Sequence, residues 1–235
     1  MRNAGRAGRK TNPAGDRYTV SLDLRETPWW PQLCTTAREV GIRFGLGSKV
    51  VGTPHITLYG PFTLRAGVSP GRVRAGIAAA AKGHDSLEFA ISGWKRLKSR
   101  GLSEVIAHDV IASPGFADFY CAIVRELSGL TVTHKWQDRH PDPGYLHISV
   151  ILGLYYQARV EDIWQALIGD AGIAPLVLTA NASNVSLKGT FRTWIFDLSR
   201  QRWLHRYSGE TLSVTPGKCE EKCGGTNSGT REAGQ

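Results

Sequence analysis

Two tetrapeptides carry the side chains best suited to chemistry: His55-Ile56-Thr57-Leu58 and His147-Ile148-Ser149-Val150. Each reads histidine, apolar, hydroxyl, apolar. Alternate side chains of a β-strand point to opposite faces. His55 therefore shares a face with Thr57, and His147 shares one with Ser149, while the four aliphatic residues turn to a core. Two such strands brought together would gather two imidazoles and two hydroxyls around one small volume. Imidazole, with an unperturbed pKa of about 6.5, either gives or takes a proton near neutral pH. Hydroxyls can donate to phosphate oxygens where charge develops. This is equipment for phosphoryl chemistry without a metal. A lone histidine on a strand is ordinarily a satisfied, half-buried residue; two with matching hydroxyls are a stronger signal.

The rest of the chain must supply strands and helices that hold these motifs. Alternation predicts a strand over Tyr18–Leu24, and apolar spacing predicts a helix through Leu33, Ala37, Val40 and Phe44. Ser69-Pro70 and Ser113-Pro114 read as helix caps followed by proline in the first turn. Strands are expected over Leu87–Ile91 and Ser103–Ile111. In the second, Val105, Ala107 and Asp109 share one face, and Ile106, His108 and Val110 the other. A polar loop carrying His134, Lys135, Trp136, Asp138 and His140 leads to the second motif. A helix over Ala158–Ile168 follows, then strands near Leu176–Leu178, Asn184–Leu187, Trp194–Leu198 and Arg202–His205. The two histidines are 92 residues apart, and each motif strand has a helix before and after it. That is the pattern of a duplicated α+β half. Residues 1–16 and 208–235 lack periodicity and are rich in Gly and small or charged residues, so they read as disordered tails around a domain spanning 17–207.

Composition narrows the class. The chain has 235 residues, 41% of them hydrophobic and 21% charged, ordinary values for a globular protein. No apolar run approaches the roughly 20 residues that span a membrane, and the N-terminal stretch lacks a secretory pattern. A cytoplasmic monomer without membrane contact is expected. The formal charge of +9 and pI near 9.6 favour a polyanion such as RNA as partner. Cys34 and Cys121 fall in helical patterns and read as buried small hydrophobes. Cys219 and Cys223 supply only two of the four ligands of a structural zinc site, so no metal is expected. No phosphate-binding glycine loop or nucleotide fingerprint is present, and no cofactor is implied.

Pro54-His55-Ile56-Thr57-Leu58-Tyr59-Gly60-Pro61-Phe62, with the second copy at His147, resembles the 2H phosphoesterase superfamily. The likeness is greatest to the branch of LigT-type RNA 2′,3′-cyclic phosphodiesterases, also called 2′-5′ RNA ligases, and covers about Tyr18 to Arg206. It implies a bilobal α+β fold with two antiparallel sheets facing a central cleft and helices outside. It implies His55 and His147 as the catalytic pair, with His55 the acid and His147 the water-activating base, and Thr57 and Ser149 as phosphate-binding hydroxyls. Serine in the second motif, where threonine is commoner, keeps the hydroxyl. Ile151-Leu152-Gly153 leaves no basic or aromatic group directly after it. Tyr59, Phe62, Trp136 and Tyr155 are candidate substrate contacts, Tyr59 by alternation on the face of His55. Lys135, Arg139 and Arg192 are candidate phosphate contacts. The implied substrates are RNA 3′ ends bearing 2′,3′-cyclic phosphate. The alternatives are ADP-ribose 1″,2″-cyclic phosphate or another small cyclic nucleotide, and a non-catalytic RNA-binding module on the same fold.

Overall fold

The computed structural model describes residues 16–98, 104–154, 157–169, 173–174 and 176–204. The tails (Asp16 apart), Tyr155, His205, Cys219 and Cys223 lie outside the described residues. The chain forms β1 (Tyr18–Asp23), α1 (Trp30–Arg43), β2 (His55–Leu64), α2 (Pro70–Ala80), β3 (Leu87–Lys98) and β4 (Glu104–Ala112). There follow α3 (Pro114–Ser128), β5 (Thr131–Thr133), β6 (His147–Leu154), α4 (Gln157–Gly169), β7 (Val177–Ala182), β8 (Asn184–Lys188), β9 (Thr193–Asp197) and β10 (Arg202–Trp203). Proline opens α2 and α3 as expected, and at α3 the Ser113 hydroxyl accepts from the Phe116 N–H at 3.2 Å. No helix of the described residues is long and apolar enough to cross a membrane.

The α+β class holds, and every strand pairing is antiparallel. The order is β10-β9-β8-β1-β2-β6-β4-β3-β7, with β5 also on β2. The two expected sheets are thus joined into one hydrogen-bonded path, and the junction between β2 and β6 is a single pair, Ile56 opposite Ile148. Both isoleucines are fully buried, which is worth about 1.5–3 kcal/mol for each side chain. Thr131–Thr133, unforeseen as a strand, lies along Phe62–Leu64; a three-residue run between a helix and a loop carries too little pattern to announce itself.

The two halves repeat each other in register. His55 pairs with Asp23 and Thr57 with Ser21; the pairing then slips by one residue to Tyr59 with Val20, and again to Phe62 with Tyr18. In the other half His147 pairs with Asp109 and Ser149 with Ala107; the slips then give Ile151 with Ile106 and Leu154 with Glu104. Each bulge sits just past the hydroxyl of its motif. An extra residue in one strand breaks the alternation beyond it.

That slip corrects two expectations. Tyr59 is not on the face of His55: Leu58 and Tyr59 are both buried, and the Tyr59 hydroxyl is hydrogen-bonded to Thr131 Oγ1 at 2.7 Å. Phe62 is buried as well, against Tyr18 and Tyr59 with ring centroids 5.8 and 5.3 Å away. Both rings are core, and neither presents a surface to substrate. Cys121 is exposed and Cys34 half-buried, because the buried stripe of α3 runs through Phe116, Phe119, Tyr120, Ile123, Val124 and Leu127 and leaves 121 outside it.

Gly60 lies within the second slip of β2, between Tyr59 and Phe62, with φ of +99°, and a Cβ there would meet the Tyr18 carbonyl oxygen at 2.8 Å and Phe62 Cδ1 at 2.9 Å. Gly60→Ala is expected to lower the unfolding free energy in urea by about 1–3 kcal/mol.

Candidate active site

Both histidines are held the same way. His55 Nδ1 lies 2.8 Å from the Thr53 carbonyl, and His147 Nδ1 lies 2.7 Å from the Tyr145 carbonyl. A carbonyl only accepts, so each Nδ1 carries the proton and each Nε2 is left to take or give one. Pro54 and Leu146, buried between anchor and ring, fix the chain at these points.

The β2–β6 junction brings the motifs together. Ile56 and Ile148 point into the core, so their neighbours point to the opposite face. By the same antiparallel register His55 falls opposite Ser149, and Thr57 opposite His147. The four residues form a square with one imidazole and one hydroxyl along each strand. All four are half-buried, and no side-chain hydrogen bond ties Thr57 or Ser149 to another described residue. His55 is close enough to His147 for its charge to lower the partner's basicity.

A carboxylate stands in register beside each ring. Asp23, next to His55, accepts from Arg25 Nε at 2.9 Å. Asp109, next to His147, accepts from Lys95 Nζ at 2.5 Å and from the Ser92 hydroxyl at 3.1 Å. Lys95 Nζ also donates to the Gly144 carbonyl at 2.5 Å, tying β3 to the turn before β6. Spacing along the chain gives no hint of Asp23, Asp109 or Lys95; only strand pairing brings them to the motifs.

Burial lowers the pKa of both histidines. The carbonyl bond opposes this at each ring. At His55, Lys188 and Lys135 lower it further and Asp23 raises it. At His147, Lys135, Lys95 and His55 all lower it. The charges around His147 thus favour the neutral ring, while His55 has one carboxylate that favours its protonated form.

The loop between β5 and β6 crosses from one half to the other. Asp138 is buried, accepts from the Gly60 N–H at 3.0 Å and takes a short bond from the Thr133 hydroxyl. Thr133 Oγ1 in turn accepts the Lys135 N–H at 3.1 Å. Trp136, 39% exposed, stacks on His140 with centroids 5.0 Å apart and meets Tyr145 edge-on at 6.0 Å. Tyr145 is the residue whose carbonyl anchors His147. His84 packs edge-on against Phe119, away from the motifs. A recess of about 400 Å³ beside Asp23 is lined by Glu26, Asp85, Asn181 and Asn184 among others. It contains neither histidine, and its carboxylates would repel a phosphate. Among the described residues no group of three or more His, Cys, Asp or Glu is placed to hold a metal ion.

Paired His-hydroxyl strands meeting on one sheet face resemble the 2H phosphoesterases. No protein-family model matches the chain, and no curated protein matches it. Among solved structures, it is similar to Usb1 of Kluyveromyces marxianus, with a TM-score of 0.48 and 12% identity over 78% of this chain and 98% of that one. It is also similar to E. coli LigT, solved with 3′-AMP, with a TM-score of 0.43 and 12% identity over 82% of this chain and 97% of that one. A third, described as a phosphoesterase, has a TM-score of 0.41 and 15% identity over 83% of this chain and 98% of that one.

Proposed function

We propose that this protein is a metal-independent phosphodiesterase that opens 2′,3′-cyclic phosphates at RNA 3′ ends. The observation that carries the reading is the square at the β2–β6 junction, with His55 across from Ser149 and Thr57 across from His147. In the proposed step His147 Nε2 takes a proton from water as the water oxygen bonds to phosphorus. The bond from phosphorus to O3′ breaks, and His55 Nε2 gives its proton to the leaving O3′. The products are a 2′-phosphate and a free 3′ hydroxyl, and the two rings end with their protonation exchanged. Thr57 and Ser149 donate to the non-bridging oxygens, where charge accumulates in the transition state. The pKa of both rings is lowered by burial; at His55 Asp23 opposes this against Lys188 and Lys135, whereas at His147 Lys135, Lys95 and His55 all add to it, and the roles are assigned on that difference. A 5′ hydroxyl in place of water would yield a 2′-5′ linkage. The formal charge of +9 suits an RNA substrate, and Trp136 offers a partly exposed ring on which a base can stack.

The test is hydrolysis of a short RNA ending in a 2′,3′-cyclic phosphate, in EDTA, with the product end identified. Turnover to a 2′-phosphate is expected. A well-folded protein with no turnover defeats the RNA-end reading and shifts attention to small cyclic nucleotides, then to simple RNA binding. Turnover abolished by EDTA defeats the metal-independent mechanism.

A further inference from the structure

Alternation along β3 from the buried Ile91 would send Lys95 into the core as well. The strand instead gains a residue on β4 between Ile91, opposite Val110, and Trp94, opposite His108, and Gly93 takes a φ of +128° within that slip. The phase of the strand reverses there. Trp94 turns inward onto His108, and Lys95 turns out opposite Ala107, which itself pairs with Ser149. We infer that Lys95 is a positioning residue for His147: it holds the turn that supplies the acceptor of His147 Nδ1, and it keeps the neighbouring Asp109 carboxylate from claiming the ring's proton. This rests on the phosphodiesterase reading above and adds to it a residue outside both motifs.

The ammonium makes two bonds of 2.5 Å, one to Asp109 Oδ1 and one to the Gly144 carbonyl. Gly144 lies in the short turn Pro143–Tyr145, and the Tyr145 carbonyl accepts from His147 Nδ1 at 2.7 Å. Lys95 therefore reaches the imidazole through one residue of backbone. The other bond acts on charge. Asp109 pairs with His147, and side chains so paired stand roughly 4.5–5.5 Å apart at Cβ. A free carboxylate at that range favours the imidazolium, whereas the proposed base must start neutral. Asp109 is not free: Lys95 takes Oδ1, and the Ser92 hydroxyl donates to Oδ2 at 3.1 Å. Besides Lys95, the charges of Lys135 and His55 bear on His147. In the first half Asp23, beside His55, is also met by a cation, Arg25, from two residues further along its own chain segment. Lys95 comes from a different strand and bonds the turn as well, so one group couples the ring's anchor to the carboxylate beside it.

The test uses the full chain as wild type, Lys95→Met, Asp109→Asn and the double variant. NMR titration of the imidazoles without substrate is the first readout. Lys95→Met is expected to raise the His147 pKa and leave His55 nearly where it was. Asp109→Asn leaves Lys95 its bond to Gly144 and is expected to move His147 the other way, a check that does not depend on how well Lys95→Met folds. On cyclic-phosphate RNA, the acid limb of kcat/KM in Lys95→Met is expected to move to higher pH, with a loss of about tenfold or more on the acid side of neutrality. In the double variant that limb should return, while the rate at the optimum stays about tenfold down because the turn is still untied. An unmoved His147 titration in folded Lys95→Met or in Asp109→Asn would overturn the proposal, as would equal shifts of both rings. Full recovery of rate in the double variant would overturn the role of the turn. If wild type fails to turn over RNA but Lys95→Met still moves His147 alone, the positioning role stands and the RNA-end reading falls.

Discussion

His55→Ala and His147→Ala are each expected to lower kcat/KM on a 2′,3′-cyclic phosphate RNA by roughly 10²–10⁴-fold, the range for removing one general acid or base. The two losses are not expected to add. One ring's proton is useful only if the other ring completes the transfer, so the double variant should be little slower than the worse single variant. The pH profile offers the finer reading. Wild type needs one ring protonated and one neutral, and burial places both below the usual imidazole range. The maximum of kcat/KM should therefore fall on the acid side of neutrality. If His55 supplies the proton, His55→Ala should abolish the alkaline limb and leave an acid limb that reports His147. The converse result would exchange the two roles while leaving the pair intact. Full activity in either alanine variant would remove that ring from the mechanism. Steady-state rates from about pH 4.5 to 8.5, which brackets the ordinary imidazole pKa, distinguish these outcomes.

A second large effect belongs to a histidine that does no chemistry here. His108 lies on β4 between Trp94 and Ile148 and is fully buried. Its ring stacks on Trp94 at 4.7 Å, and neither ring nitrogen has a hydrogen-bond partner among the described residues. Burial alone lowers its pKa to about 4. The unfolded chain, with an ordinary histidine, binds the proton first as pH falls. Stability from this group is therefore complete above about pH 6.5 and is lost progressively down to pH 4. Between pH 7 and pH 5 wild type is expected to lose about 2 kcal/mol through His108 alone. His108→Phe keeps the stack, removes two unpaired polar atoms and removes the titration. Urea midpoints at the two pH values should converge in that variant, with stability at neutral pH equal to or above that of wild type. An unchanged pH dependence would place the proton uptake elsewhere, and the two motif histidines, also depressed, would be the next groups to replace.

The motifs were legible because a period of two is a strong pattern, and His55 with Thr57 and His147 with Ser149 obey it. The helices were legible from proline, serine and glycine at their ends; α1, α2 and α3 lie within a few residues of the expected spans. Tyr59 and Phe62 were misplaced because a bulge leaves no mark in the local sequence: the extra residue exists only relative to the partner strand. Asp23, Asp109 and Lys95 were invisible for a related reason, since each reaches its motif through a neighbouring strand far away in the chain. Lys135 stood beside Arg139 and Arg192 as a candidate phosphate contact, but the bond from the Gly60 N–H to Asp138 that holds its loop against β2 leaves no mark in the sequence. The face assigned to His108 was correct, but its lack of partners is a property of packing in three dimensions.

The single Ile56–Ile148 pair makes the junction behave like the spine of a book. The pages on either side are ladders of many pairs, whereas β2 and β6 share one, helped only by the Val50–Ile151 bridge and the Val51 N–H bond to the Val150 carbonyl just ahead of β2. The gaps across it, His55 to Ser149 and Thr57 to His147, are then set by the angle between the pages and by the bulk of the two isoleucines behind them. A phosphate gripped from both pages would draw them together, so some of its binding energy would be spent on choosing that angle. The spacing of the two histidines and two hydroxyls is in this sense a property of the core, written on the hidden side of the sheet.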